Sequence, residues 1–374
     1  MSKRGENIYK RKDGRWEGRY IKGKKPNGKP YYGYVYGYRY TDLKKKLMMF
    51  KSYYNSQQET PVNFSGTFED WGRCWMTEKM QDKIKPSTYA YYNSMMELHI
   101  YPYFDGYGLD NIIADDVQQF IIDLMAKGLG SNTVRNVFGM LNRVFRAAVR
   151  YNTLQFNPCN KVELPDKQVP RINALSRQDQ HRLEKAADED KEGLAVILSL
   201  YTGMRIGEIC ALRWENIDFN AGIIKVDSTL QRITNADETG KKTRLVFGSP
   251  KSRHSDRVIP ITVNLIEILK AKKAISRSAY VVSCNGSFAE PRIVCYRYQR
   301  IIKRAGIRPL HFHGLRHTFA TRCIETGMDA SALSRILGHS SIKMTMDIYL
   351  DATLQHKAKS IQKLDYIHQH SMAG

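Results

Sequence analysis

The chain has 374 residues, with 59 Lys and Arg against 37 Asp and Glu, for a net charge of +22. A content of 42% hydrophobic and 26% charged residues excludes a disordered tail, and the length exceeds what one hydrophobic core usually serves, so two or three domains are expected. The balance favours nucleic acid over a membrane surface, which would call for a basic amphipathic helix; no apolar run is long enough to span a bilayer and none follows the first charges, so the expected location is cytoplasmic.

The excess charge is concentrated at the front, where residues 1–55 carry 16 Lys and Arg against four acids. Asn7–Lys10 and Arg15–Tyr20 flank the turn Lys12-Asp13-Gly14 and predict a hairpin. A second turn at Pro26-Asn27-Gly28 leads into Tyr32, Tyr34, Tyr36, Tyr38 and Tyr40, whose period of two predicts a third strand. Thr41 is a candidate N-cap for a helix carrying Leu43, Leu47, Phe50 and Tyr54, with Lys44, Lys45 and Lys46 nearby. A tyrosine stripe of this kind either packs on the helix or faces a partner, and packing leaves the basic excess unexplained.

Residues 57–63 read as a linker. Beyond it, helices are expected from Thr67 through Trp71 and Trp75, from Pro86-Ser87-Thr88 to His99, over 115–126, and over 131–151 starting at Ser131 or Asn132. Asn157-Pro158 and Leu164-Pro165 mark a second linker ending near Pro170-Arg171. The remainder alternates helices with short strands at 223–226, 244–247, 257–261 and 279–283. The six cysteines, Cys74, Cys159, Cys210, Cys284, Cys295 and Cys323, form no Cys-x-x-Cys pair, which disfavours a zinc site or a disulfide framework.

Six residues that a phosphodiester-cleaving site needs follow one another in this last region. They lie in Thr202-Gly203-Met204-Arg205-Ile206-Gly207-Glu208, Ser249-Pro250-Lys251-Ser252-Arg253, His313-Gly314-Leu315-Arg316-His317-Thr318, Leu337-Gly338-His339 and Asp347-Ile348-Tyr349. Each has an ordinary reading when taken alone: a surface Arg–Glu helix pair, a solvated hairpin lysine, a structural histidine, a core tyrosine. His311, His313 and His317 together have tolerable spacing for a metal, but neither carboxylate nor cysteine completes a set. Gly240-Lys241-Lys242-Thr243 lacks the glycine and the Gly-Lys-Ser/Thr end of a phosphate-cradling loop.

In their order, these strings resemble the tyrosine recombinases of the phage integrase family. The resemblance implies a multidomain α+β fold: a small basic three-stranded sheet plus helix binding arm-site DNA (1–60), an all-helical SAM-like core-site-binding domain (64–165), and a mixed, mainly helical catalytic domain (170–374). The pattern Tyr92…His99-Ile100-x-Pro102 adds to it. The implied catalytic residues are Arg205, Lys251, His313, Arg316, His339 and the nucleophile Tyr349, with Glu208 orienting Arg205 from the same helix face. Arg253 is the nearest competitor of Lys251, and Tyr366 falls too late to match. Leu350-Asp351 departs from the small or basic residues common in relatives at that point.

The chemistry accounts for these residue types. Two guanidiniums can clamp the non-bridging oxygens of a phosphate under attack and stay charged at any working pH. A tyrosine hydroxyl, titrating near pH ~10, needs help to lose its proton, and the leaving sugar oxygen needs one delivered. His313 and His339 suit the first event, and Lys251 the second. No metal or other cofactor is expected.

DNA contacts are expected from Arg15, Arg19, Lys22, Tyr34, Tyr36 and Lys44 in the front domain, from Lys85 and Thr88 in the helical one, and from Arg253. The implied partners are double-stranded attachment sites of core and arm type, a homotetramer on DNA, an excision factor and a host DNA-bending protein, with no membrane. A type IB topoisomerase, which shares the residue set but reseals its own strand, and a noncatalytic DNA-binding regulator are the competing readings. Leu354, Ala358, Ile361 and Leu364 follow at helical spacing and offer a stripe for intramolecular packing or for docking on a neighbour.

Overall fold

Alternation in the front segment produces a sheet with one covered and one open face. The computed structural model describes residues 7–24, 30–56, 64, 66–168, 174–235, 242–248, 256–339, 341–350 and 361. β1 (Ile8–Lys10), β2 (Trp16–Lys24) and β3 (Pro30–Gly37) are antiparallel in the order β1-β2-β3, and α1 (Tyr40–Ser56) follows. Tyr20 and Val35 meet Leu43 and Leu47 of α1 in a small core. Strand parity sends Val35 to that core and leaves Tyr34 and Tyr36 on the other face, 49% and 44% exposed. The stripe therefore does not pack on the helix. It also ends early: β3 stops at Gly37, and the Leu43 N–H already donates to the Arg39 carbonyl, so Tyr40 heads the helix and Thr41 lies inside its first turn.

The helical block begins where the sequence indicates. The Thr67 hydroxyl accepts from the Asp70 N–H at 3.1 Å, and the Asp70 carboxylate accepts from the Thr67 N–H at 2.9 Å, closing a capping box on α2 (Phe68–Cys74). A wider helical turn continues over Trp75–Met80. Pro86 then starts α3 (Pro86–Met95), again extended by a wide turn over Met96–Ile100. α4 (Ala114–Ala126) and α5 (Ser131–Arg150) complete the block. Phe68 lies 5.5 Å from Phe104 and 5.2 Å from Phe145 between ring centroids, and the Trp71 indole donates to the Val144 carbonyl at 3.2 Å. This core and that of the sheet share no residue, although both belong to one compact unit, Met1–Gln168; the second unit is Val169–Gly374.

The second unit opens with α6 (Arg177–Asp188), α7 (Leu194–Thr202) and α8 (Ile206–Ala211). α7 is apolar around nearly its whole circumference, and Leu194 through Leu200 are buried, as a central helix requires. β4 (Ile217–Asp218), β5 (Ile223–Val226), β6 (Thr229–Thr234), β7 (Thr243–Gly248) and β8 (Arg257–Pro260) come next, followed by α9 (Val263–Ile275). β4, β5 and β8 form one antiparallel sheet, whereas β6 and β7 pair separately. The strands on either side of Lys251 thus belong to different sheets and do not form the expected hairpin, because β6 takes the edge of β7 and β5 that of β8.

A strand over 279–283 is not formed either. The Val281 N–H donates to the Leu212 carbonyl, leaving one isolated bridge between Arg213 and Tyr280 and a minimal hairpin of β9 (Ser283–Cys284) and β10 (Ser287–Phe288). α10 (Pro291–Arg304), α11 (His313–Glu325), α12 (Ala330–Leu337) and α13 (Lys343–Leu350) follow. Among the described residues no helix is long and apolar enough to cross a membrane. The apolar stripe expected after Asp351 lies outside the described residues except for Ile361, which is exposed.

Candidate active site

The close meeting of α7, α11 and α12 builds the site. α7 ends at Gly203, whose φ is +66° and where a Cβ would fall 2.5 Å from the Phe319 ring and 2.7 Å from the Leu337 side chain. Only glycine allows a helix to stop in that conformation against those neighbours. Two residues later Arg205 caps α8. The Glu208 carboxylate accepts from the Arg205 N–H at 2.9 Å and from its Nη1 at 2.8 Å, so one turn of helix fixes both residues. The Arg205 side chain is 35% exposed and that of Glu208 only 4%. The cation reaches toward solvent and its orienting anion does not.

α12 ends on the opposite side. Asp329 caps its start, accepting from the Ser331 and Ala332 N–H groups, and Gly338 ends it in the left-handed conformation. Its last carbonyls face three arginines from three other elements. Arg257 of β8 donates through Nε to the Ile336 carbonyl at 2.6 Å, Arg316 of α11 through Nη2 to that of Leu337 at 2.7 Å, and Arg205 through Nη2 to that of Gly338 at 3.3 Å. These carbonyls carry the negative end of the helix dipole, which favours cations there. Arg316 also donates from Nη1 to the Gly203 carbonyl at 2.8 Å. It therefore ties the end of α7 to the end of α12.

The next residue, His339, contacts the buried Thr345 hydroxyl of α13 through Nδ1 at 2.8 Å. This orients the ring and leaves Nε2 as the nitrogen for chemistry. His313 starts α11 with an open face, and its ring centroid lies 5.2 Å from that of His317.

The electrostatics follow from three guanidiniums around a single buried carboxylate. Burial, the largest influence on Glu208, works to raise its pKa, but hydrogen bonds and charge from Arg257 and then Arg205 overcome it and hold the carboxyl below its usual range. Burial, then the charge of Arg205, pushes Arg316 down to about 9, which leaves it cationic at neutral pH. Crowding by protein atoms, then the charges of His317, Arg316 and Arg205, lowers His313 to about 4. Burial, then Arg316 and Arg205, lowers His339 to about 3. Both imidazoles are neutral at pH 7. The site is thus a positively charged cluster with two neutral proton acceptors beside it, suited to an anion whose charge grows during reaction.

The structure brings together Arg205, Glu208, His313, Arg316 and His339 of the residues expected from the sequence. α13 carries Tyr349, whose side chain lies outside the described residues, as do Lys251 and Arg253. Three neighbours were not anticipated as parts of this site: Arg257, Thr345 and His317. Arg257 had a readable signal, since it occupies the same strand face as the buried Ile259 and so places a charge where β8 faces inward.

Of the expected DNA-contacting residues of the front sheet, Arg15, Arg19, Tyr34 and Tyr36 lie toward its open face, whereas Lys22 sits at a bulge in β2 beside Tyr31, which has the parity of Val35. Arg19 stacks over Tyr32 at 4.4 Å, Arg15 over Tyr36 at 5.8 Å and Lys22 over Tyr31 at 5.9 Å, and Arg19 stands opposite Tyr34 in register. Lys44 lies over Tyr40 at 5.9 Å. Lys85 is exposed at the N-cap of α3, and Thr88, half-buried, donates its N–H to the Lys85 carbonyl at 2.9 Å.

A mainly helical unit in which two arginines and two histidines converge beside a helix bearing a tyrosine has the architecture of a tyrosine recombinase. The chain belongs to the phage integrase family: the pattern of that family matches residues 163–356, just over half of the chain, and the pattern of the phage integrase N-terminal SAM-like domain matches residues 67–125. It is accordingly an enzyme of site-specific DNA recombination. A tyrosine recombinase XerC-like protein of Caldanaerobacter subterraneus is 27% identical over 80% of this chain and 83% of its own length. The ICEBs1 integrase of Bacillus subtilis is 23% identical over 75% and 78%. Among solved structures, the Tn1549 transposon integrase in complex with circular intermediate DNA superposes with a TM-score of 0.67 at 21% identity, covering 80% of this chain and 99% of that one. A lambda integrase dimer bound to a core site does so at 0.59 and 18%, covering 93% and 96%.

Proposed function

We propose that Tyr349 attacks a DNA phosphate held by Arg205 and Arg316, forming a 3′-phosphotyrosine link and releasing a 5′-hydroxyl, and that a partner strand's hydroxyl then reverses the step, integrating or excising a mobile element. The observation that carries this reading is the placement of the two guanidiniums, one anchored to Glu208 and one to the Gly203 and Leu337 carbonyls, at the end of the helix preceding α13. Two fixed forks, both cationic at neutral pH, suit the equatorial oxygens of a phosphate under attack. His313 and His339, neutral at pH 7, accept the phenolic proton. Lys251 delivers a proton to the departing 5′-oxygen. Bond energy is kept in the phosphotyrosine, so rejoining consumes no ATP.

In this reading residues 1–60 bind arm-type sites through the open sheet face, 64–165 bind the core site with Lys85 and Thr88, and 170–374 carry the chemistry with Arg253 near the DNA. Arg15, Arg19, Lys22, Tyr34, Tyr36 and Lys44 are the contacts of the first. A lambda integrase tetramer on a Holliday junction supports a homotetramer on DNA. The protein works in the cytoplasm, and an excision factor and a host DNA-bending protein set direction. The test is incubation with a suicide substrate that loses the 5′-hydroxyl strand after cleavage, followed by denaturing electrophoresis. The parent should leave protein covalently attached to DNA. Tyr349→Phe should bind DNA and leave none; an adduct from that variant means another nucleophile.

A further inference from the structure

Arg257 belongs to none of the motifs that identify the site, yet it makes three polar contacts there, the shortest at 2.6 Å. Its Nη1 and Nη2 donate to the two oxygens of Glu208 at 3.1 and 2.9 Å, and its Nε donates to the Ile336 carbonyl at 2.6 Å. Its side chain is 5% exposed, so it is not placed to touch DNA. Glu208 is therefore shared. It receives a two-pronged contact from Arg257 and a single side-chain contact from Arg205.

We infer that Arg257 is a positioning residue that occupies Glu208 so that the guanidinium of Arg205 stays oriented and electrostatically available for the phosphate. The inference rests on the recombinase reading above. A carboxylate facing Arg205 alone would close a two-pronged pair with it, cancel its charge and draw it away from the substrate. With Arg257 in place, Glu208 is already neutralised, and Arg205 needs only one Nη to hold its direction. The Ile336 contact adds register, since the same guanidinium ties α8 to the end of α12, where Arg205 and Arg316 also bind.

The full chain and the suicide substrate test this. Adduct formation is followed in single turnovers from pH 5 to 9, with DNA affinity and thermal melting measured beside it. Arg257→Gln should bind DNA as the parent does but form adduct about a hundredfold more slowly, the size of effect expected when one aligned charge is lost. Among the described residues, the charged groups around Glu208 are Arg205 from the α7–α8 turn, Arg257 from β8 and Arg316 from α11, with His313, His317 and His339 nearby. Removing Arg257 takes away the strongest of these, so the variant should gain an alkaline limb, with its rate falling as Glu208 ionises and captures Arg205. Glu208→Gln combined with Arg257→Gln should lose that limb. Arg257→Lys should keep the parent's pH profile, because the charge is retained, yet remain slow, because one ammonium cannot hold both Glu208 oxygens and the Ile336 carbonyl.

A parent rate in Arg257→Gln overturns the inference. So does a slow variant with the parent's pH profile, or one whose rate loss is matched by loss of DNA binding. Should Arg257→Gln not fold, Arg257→Lys decides alone, and a parent rate in it is equally fatal. A parent protein that forms no adduct sinks the recombinase reading itself, and this inference with it.

Discussion

Arg316 donates to the carbonyl of Gly203, 113 residues earlier in the chain, at 2.8 Å, while its other Nη holds Leu337 at 2.7 Å. One planar fork therefore spans the ends of two helices, and the phosphate clamp proposed above would depend on the same guanidinium that holds α7 and α12 together. Lysine keeps the charge but has no fork. Arg316→Lys should leave one of the two buried carbonyls without its donor, at a cost of about 1–3 kcal/mol, and lower the melting temperature. It should also slow adduct formation by at least about a hundredfold. Thermal melting and single-turnover cleavage check the two halves separately; a normal rate in a destabilised protein would leave Arg316 structural only.

The depressed histidines set a pH dependence. In an unfolded chain both titrate near 6.5, whereas in the fold they sit at about 4 for His313 and about 3 for His339. Between those values the unfolded chain binds more protons, so stability rises with pH across the window and is lost as pH falls from 6.5. The DNA-free protein should melt progressively lower from pH 7 to 4.5, and His339→Asn should flatten part of that slope. Burial depresses the rings most and the neighbouring guanidinium charges next; a phosphate seated beside them offsets those charges, so DNA binding near pH 5.5 should take up protons. Calorimetry in buffers of different ionisation heat measures that uptake. Proton release on binding would contradict the arrangement.

Local signals read well from the sequence. The helix start at Thr67 and the pair Arg205 and Glu208, three residues apart, each depend on residues within a turn of one another. What was not legible depends on distant pairing. Arg257 finds Glu208 from 49 residues away and the Ile336 carbonyl from 79. The partner of β7 is β6 rather than the next strand, a choice that hydrophobic alternation cannot make, since both neighbours alternate. The segment at 279–283 had strand composition, but its hydrogen bonds go to the Leu212 loop. For the tyrosine stripe the period was readable and the covered face was not, because Val35, one position out of phase, faces α1.

Lys251 can be tested through its proton. If it protonates the departing 5′-oxygen, Lys251→Ala should cleave ordinary DNA slowly and recover on DNA with a bridging 5′-sulfur, because a thiolate leaves without a proton. Both substrates are compared by adduct yield in single turnovers. Equal defects on the two would remove the acid role from Lys251 and direct attention to Arg253.

The open face of the front sheet predicts a second DNA site that is separable from catalysis. Arg19 over Tyr32 and Arg15 over Tyr36 present charge and flat apolar surface together, on a strand pair backed by α1, and a ribbon of that kind can enter a major groove. Tyr34 and Tyr36 take no part in the small core beneath, so Tyr34→Ala with Tyr36→Ala should change stability by no more than about 0.5 kcal/mol. The same pair should weaken binding to arm-type repeats while leaving core-site cleavage intact. Each lost phosphate contact should lower the salt slope of arm binding by about 1, so Arg19→Ala should give a measurably shallower plot of affinity against salt. Deleting residues 1–60 should abolish arm binding altogether and leave adduct formation on a short core substrate at the parent level, because the helical block has a core that shares no residue with the sheet. A folded truncation unable to cleave the core substrate would instead make the sheet part of the catalytic assembly.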